Sequence, residues 1–367
     1  MFISRSSLLP FASAPDSLCI LRLSAVGDIC HTLPVVRSIQ RQWPETRITW
    51  VIGKLEAGLV GDIPGIEFII FDKSRGYRAY ADLRRVMRGR RYEALLQMQV
   101  SLRASIASLL IPAPVRLGFD RARARDFQWL FTNAHIPTRS RQHVMDGLFG
   151  FAETLGVSDL TPVWDIPVPA EAAGFARKWI SDKEQTLVIS PCSSNRVRNW
   201  RNWSAEGYAR VVDHVAERYG MKSLLTGGPT QLEQEYGEQI CALAQHTPVN
   251  LVGKTSLKQL LAIIQRATVL ISPDSGPAHM ATTAGTPVIG LYATSNPDRT
   301  GPWLSRQWVV NRYPEALREE LGMDVEQAPW GKRVRNPEAM QRITVEDIQE
   351  KLEQIMAEVG LGCPGNG

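Results

Sequence analysis

The feature that most constrains this chain is an alternation, met twice, of short apolar runs with helical patterns. LCILRL at 18–23 leads through the small-residue turn SAVGD at 24–28 into a helical spacing of Leu33, Val36, Ile39 and Trp43. RITWVIG at 47–53 and EFIIFD at 67–72 follow, and an Arg-rich helical stretch at 78–91 runs into EALLQM at 93–98. Runs without a polar alternate face suit strands buried on both sides, as in parallel sheets covered by helices. Residues 158–172, SDLTPVWDIPVPAEA, hold three prolines and no helical period, so they read as a linker. The alternation then restarts: strands at 186–191, 222–228, 268–273 and 287–292 with the short NLVG run, and helices at 205–219, 230–245, 256–266 and 277–284.

The expectation is an α/β chain of two Rossmann-like doubly wound domains, residues 17–165 and 180–330, facing a central cleft. A length of 367 residues agrees with two cores. Segment 336–360 carries a helix at 344–359 with Val345, Ile348, Leu352 and Ile355 on one face, read as core or interdomain cover. In such sheets ligands bind at the carboxyl ends of the strands, so the loops there hold the interest.

The five cysteines are scattered, with no pair or Cys/His spacing suited to zinc, which fits a reducing cytoplasm. The opening MFISRSSLLPFASAPDS, broken by Pro10 and Pro15, reads as a loose tail rather than a signal peptide. No run approaches the ~20 apolar residues of a spanning helix, so any membrane contact is expected to be peripheral. The net charge of +5 divides unevenly: residues 1–170 hold 21 Lys+Arg against 15 Asp+Glu, and residues 171–367 hold 21 against 22. An anionic partner for the first half follows, through the arginines at 75–91 and 116–125. The same arginines serve equally as solvated helix faces. A basic nucleic-acid binder is the rival from another class, but no motif of that kind is present.

Three loops carry chemistry. In SAVGD, Gly27 permits close backbone approach while Asp28 stands at the cleft-facing strand end, with helix N-capping as its structural alternative. The absence of G-x-G-x-x-G there weakens a nicotinamide dehydrogenase. In SPDSGPAHMATTAGTP at 272–287, Ser275 and Gly276 put a hydroxyl and backbone N–H groups at a helix start, where a phosphate is favoured. Asp274 beside them suits sugar hydroxyls rather than an anion. In SPCSSNRVRNWRNWSAEGY at 190–208, Ser193 and Ser194 are small donors, and Arg196, Arg198 and Arg201 offer forked guanidinium groups. Trp200 and Trp203 read more readily as packing than as base-stacking residues. Two phosphate-type loops in one domain favour a diphosphate ligand.

Taken in order, LRLSAVGDICHTLPVV, NWRNWSAEGYARV, LTGGP, LVGKTSL and SPDSGPAHMATTAGTPVIGLY with the later GPW resemble the lipopolysaccharide heptosyltransferases of glycosyltransferase family 9, over about Leu18 to Trp303. The details look closest to members that add the first heptose to Kdo. The resemblance implies a GT-B fold and an inverting displacement, with Asp28 as the base. It places Asp274 and His279 near the donor sugar and pyrophosphate, and Ser275, Gly276 and Pro277 in a phosphate-binding loop. Ser193 and Ser194 match hydroxyl-bearing phosphate ligands; Arg198 stands where well-known members have Lys. Glu233, or by its spacing Glu235, is expected at the ribose. ADP-heptose is the implied donor and a Kdo-lipid A type acceptor the partner, met by Arg75, Arg78, Arg121 and Arg123 at the cytoplasmic face of the inner membrane. No nucleic acid, cofactor or metal is called for, since no D-x-D motif is present. A transferase using another nucleotide sugar or acceptor position, or a non-catalytic nucleotide-sugar binder, is the alternative.

Overall fold

The computed structural model describes residues 9–193 and 199–358. The chain divides into two compact units, Met1–Pro167 and Val168–Gly367. In the first, β1 (Ser17–Leu21), β2 (Arg47–Gly53), β3 (Ile66–Phe71), β4 (Ala94–Gln97), β5 (Val115–Gly118) and β6 (Ala134–His135) form one parallel sheet in the order β3-β2-β1-β4-β5-β6. In the second, β7 (Thr186–Ile189), β8 (Lys222–Leu225), β9 (Val249–Asn250), β10 (Val269–Pro273), β11 (Val288–Tyr292) and β12 (Val310–Asn311) take the order β12-β11-β10-β7-β8-β9. Read in chain order, both are 3-2-1-4-5-6 sheets. The strand order therefore reverses between β1 and β4, and again between β7 and β10. A crevice opens at such a reversal because the two connections leave to opposite faces.

The central strands are apolar on both sides because both sides are covered: β1, β4, β7, β10 and β11 are buried throughout. The helices end where their sequences tell them to. Helix Ala205–Tyr219 starts at Ser204, whose hydroxyl accepts from the Gly207 N–H at 3.0 Å, and stops at Gly220 in the left-handed region. Helix Leu257–Arg266 opens with a reciprocal Ser256/Gln259 capping box.

Several short elements escaped the sequence reading. Strands β5, β6 and β12 have two to four residues each, too short to show a period. The segment read as a linker at 158–172 is strapped down. Arg37 donates to the Trp164 and Asp165 carbonyls at 3.3 and 2.8 Å, Arg41 donates to Thr161 O at 2.7 Å, and Trp164 Nε1 donates to Cys30 O at 2.8 Å. Its end is already helix Ala170–Arg177. Of the expected loose tail, residues 1–8 lie outside the described residues, while Phe11 donates its N–H to Leu155 O at 3.0 Å and meets Trp43 edge-on. Helix Val345–Glu358 places Val345, Ile348, Leu352 and Ile355 in the second unit's core. Trp203 joins that core and donates Nε1 to Ile343 O at 2.9 Å, the packing role expected of it. No helix among the described residues is long and apolar enough to cross a membrane.

Candidate functional site

At the first reversal, the loop after β1 is knitted to the loop after β4 by two side chains. Arg22, buried, donates Nη1 to the Met98 carbonyl and Nε to Ser24 O at 3.0 Å. The Gln99 side-chain oxygen accepts from the Leu23 and Ser24 N–H groups at 2.6 and 3.3 Å. The remaining arm of Arg22 lies 2.6 Å from Asp28 Oδ2. Asp28 is not the N-cap residue considered from the sequence. Ala25 holds that position, and Asp28 stands at the third helical residue of Val26–Gln42, accepting from the Ala25 N–H at 3.0 Å. It caps from inside the helix, as the acid of a capping box does. Its side chain is 38% exposed, so a fixed carboxylate meets solvent at the strand end.

Beneath it lies a second acid that the sequence reading missed. Glu56, in helix Lys54–Val60 after β2, is buried. Burial pushes its carboxyl above the usual range, its own N–H and the charge of Lys73 oppose this, and the charge of Asp28 adds to it. Room for it comes from Gly53: a Cβ there would stand 2.3 Å from Glu56 Oε2 and 2.2 Å from Leu23 O. The only sequence signal was a glycine at a strand end followed by an acid.

The first-half arginines do not act as one field. Arg75 and Arg85 share Asp82 at 2.7 and 3.1 Å, and Arg90 pairs with Glu67. Arg78 lies over exposed Tyr77. Arg121 lies 4.2 Å from the Trp129 ring centroid. Arg123 is spent internally, on Asp120, on Pro137 O at 2.7 Å and on Gln142 Oε1 at 3.2 Å.

At the second reversal, Arg201 spans from the loop after β7 to the loop after β10, its Nη1 donating to Asp274 O at 2.7 Å and lying 3.3 Å from Asp274 Oδ2. Ser295 Oγ donates to the same Oδ2 at 2.9 Å, and Arg333, tied to Ser295 by an isolated antiparallel bridge, has Nη2 4.0 Å from it. Asp274 is thus buried among cations and a hydroxyl. Ser275 is the N-cap of helix Gly276–Ala284, yet its hydroxyl pairs with Ser272 Oγ at 2.7 Å instead of capping. Gly276 and Pro277 form the first turn, and His279 is buried one turn in. A helix start without a side-chain cap presents N–H donors to an anion.

The loop after β7 is organised by two asparagines the sequence reading passed over. Ser193 donates Oγ to Asn199 Oδ1 at 2.6 Å and its N–H to Asn202 Oδ1 at 3.0 Å. Ser194, Arg196 and Arg198 lie outside the described residues. Burial pushes the neighbouring Cys192 thiol up to about 12, so Cys192 stays a thiol at neutral pH. Of Glu233 and Glu235, Glu233 is the one against the glycine turn: it accepts from Gly228 N–H at 2.8 Å and Thr230 Oγ1 at 2.6 Å, while Glu235 pairs with Gln231 on the exposed side. A Cβ on Gly228 would stand 2.8 Å from Glu233 Oε2, so a larger residue there would displace the Glu233 carboxylate.

Two Rossmann-like units of this kind, each with polar groups gathered at its strand-order reversal, have the GT-B fold. The chain belongs to glycosyltransferase family 9 (heptosyltransferase), which it matches over residues 80–327. It is an enzyme, a glycosyltransferase of the heptosyltransferase type. It is 42% identical to the lipopolysaccharide core heptosyltransferase OpsX of Haemophilus influenzae, over 94% of this chain and 98% of that one. It is 22% identical to lipopolysaccharide heptosyltransferase 1 of Escherichia coli, over 82% and 98%. The identity to OpsX is thus higher than that to heptosyltransferase 1. The solved structure of E. coli heptosyltransferase WaaC with ADP overlays with a TM-score of 0.70 at 20% identity, covering 92% of this chain and 99% of that one.

Proposed function

We propose that this enzyme transfers L-glycero-D-manno-heptose from ADP-heptose to a Kdo-bearing lipopolysaccharide inner-core acceptor, with inversion, at the cytoplasmic face of the inner membrane. The observation that carries the reading is the contrast between a fixed, half-exposed carboxylate at the first reversal and a helix start without a side-chain cap at the second. The name of the OpsX relative and the ADP in the WaaC structure support the acceptor class and the nucleotide.

In this reading Asp28 accepts the proton of the acceptor hydroxyl as its oxygen bonds to the anomeric carbon. The bond from that carbon to the terminal phosphate oxygen breaks in the same displacement, and its electron pair leaves with ADP. The N–H groups at Ser275, Gly276 and the following turn, with Arg198 and Arg201, receive the growing negative charge. Pro277 has no N–H to offer and instead pre-sets the helical turn. Ser193 and Ser194 bind the diphosphate, Glu233 the ribose hydroxyls, and Asp274 with His279 the heptose. Arg75, Arg78 and Arg121 meet the acceptor's anionic groups. Arg123, assigned to the acceptor from sequence, here positions the loop instead.

The test is mass analysis of product after incubation with ADP-heptose and a truncated Kdo-bearing acceptor, with UDP-glucose and GDP-mannose as competing donors. A mass gain of one heptose from ADP-heptose alone is the expected result. Transfer from another donor, or tight ADP binding without transfer, overturns it.

A further inference from the structure

Helix Leu102–Ser108 of the first unit is built the wrong way round for a surface helix. Its inward face is small, with Ala104, Ser105, Ala107 and Ser108 buried. Its outward face carries Leu102, Ile106 and, just past its end, Leu109, which are 53%, 42% and 63% exposed. Bulky apolar residues ordinarily face the core and polar ones the water.

A second segment repeats the anomaly beside it. Phe127, Trp129 and Leu130 are 66%, 37% and 62% exposed, around a buried Gln128. Hydrogen bonds hold the two segments side by side at both ends. Gln128 Nε2 donates to the Gln97 and Gln99 carbonyls at 2.8 and 3.2 Å, just before the helix that Ser101 caps. Arg116 donates to Phe131 O at 2.8 Å, to Ile111 O at 3.1 Å and to Ser108 Oγ at 2.8 Å, joining the far ends. The outcome is one apolar surface assembled from two loops of the sheet's carboxyl edge.

Its border is basic. Arg103, Arg121 and Arg125 are exposed within these segments against one acid, Asp126. Arg121 lies over the Trp129 ring, which keeps its charge at the level of the aromatic residue. An apolar centre containing Trp, ringed by arginine, matches the interface of an anionic bilayer, where the ring sits at headgroup level and the cations meet phosphate.

We propose that this surface, centred on Leu102, Ile106, Leu109 and Trp129, docks the first unit onto an anionic lipid bilayer. The inference rests on the lipid-linked acceptor of the proposed function. It places the acid-bearing loop after β1 and the lipid surface on the same unit.

Flotation of the full chain with vesicles of equimolar phosphatidylcholine and phosphatidylglycerol, and with phosphatidylcholine alone, tests it. The wild-type chain is expected to float with the anionic vesicles and to be released by high salt. Ile106→Ser with Leu109→Ser is expected to weaken that partition by about tenfold or more, from the apolar carbons withdrawn from lipid. The same variant is expected to keep wild-type turnover on a water-soluble, deacylated acceptor, which reports that its fold and site are intact. Undiminished flotation of a variant that keeps this turnover overturns the proposal. So does a wild-type chain that ignores vesicles but forms a dimer, seen by light scattering, that the variant loses. Flotation reads no sugar transfer: a wild-type chain that floats as expected yet transfers no heptose overturns the functional reading alone.

Discussion

Each unit has an Arg–Asp pair at its strand-order reversal, and the two pairs are used differently. In the first, Arg22 and Asp28 both follow β1 and lie 2.6 Å apart, and the Asp28 side chain is 38% exposed. In the second, Arg201 holds Asp274 across the β7/β10 reversal at 3.3 Å, and the Asp274 side chain is 8% exposed. Geometry alone does not separate a reacting carboxylate from a structural one; its access to solvent and its other partners do. A guanidinium and a backbone N–H meet Asp28 at Oδ2, and the carboxylate reaches solvent. Asp274 adds Ser295 and Arg333 to its own arginine, which suits a residue that fixes the loop and the cations around it.

That difference is broken most forcefully at Arg201. Removing one partner of a buried ion pair leaves an uncompensated charge, at about 3–5 kcal/mol. Arg201→Ala is expected to fall at the lower end, about 3 kcal/mol, because Ser295 and Arg333 remain. Arg22→Ala, whose acid reaches water, is expected to cost less than half of that. Urea unfolding of both variants makes the comparison, and equal losses would mean that the two pairs do the same work.

Asp28→Ala comes next. A lost general base is worth about 100-fold or more in turnover, or roughly 2.7 kcal/mol. Affinity for ADP, by calorimetry, should stay at the wild-type value, because the loops proposed to bind the nucleotide belong to the other unit. Asp274→Asn is expected to weaken ADP binding as well, because the Asp274 carboxylate also holds Arg201. Near-normal turnover in folded Asp28→Ala would reduce Asp28 to a capping residue.

The same comparison explains what the sequence could tell. Strands β1, β4, β7, β10 and β11 were legible because burial on both faces leaves runs of apolar residues. The loops at both reversals were legible because their small and acidic residues stand at strand ends. What escaped reading acts at long range. Arg22 reaches Met98, Arg201 reaches Asp274, and Gln128 reaches Gln97, across separations that carry no local pattern. Arg121 and Arg123 sit two residues apart in one basic run, yet one covers an exposed Trp and the other fastens a loop. Charge counting cannot divide them.

The smallest effect concerns a buried acid of the first unit. Glu56 is buried beneath the Asp28 loop, and burial, aided by the Asp28 charge, raises its carboxyl above the ordinary range in the folded chain. In the unfolded chain it ionises at the ordinary value. Below that value both states hold the proton and Glu56 contributes no pH dependence. As pH rises from the ordinary carboxyl value through the raised one, the unfolded state binds fewer protons than the folded state, so stability falls, and it stays lower above. Glu56→Gln keeps the shape and cannot ionise, so its stability should part from that of the wild type within this window and exceed it at neutral pH, by no more than about 1 kcal/mol. Urea unfolding of both proteins from pH 4 to 7 measures the gap. A constant gap across that range would mean that Lys73 and the backbone N–H fully offset the burial of Glu56. The first unit's reversal would then bear no more electrostatic strain than the second's.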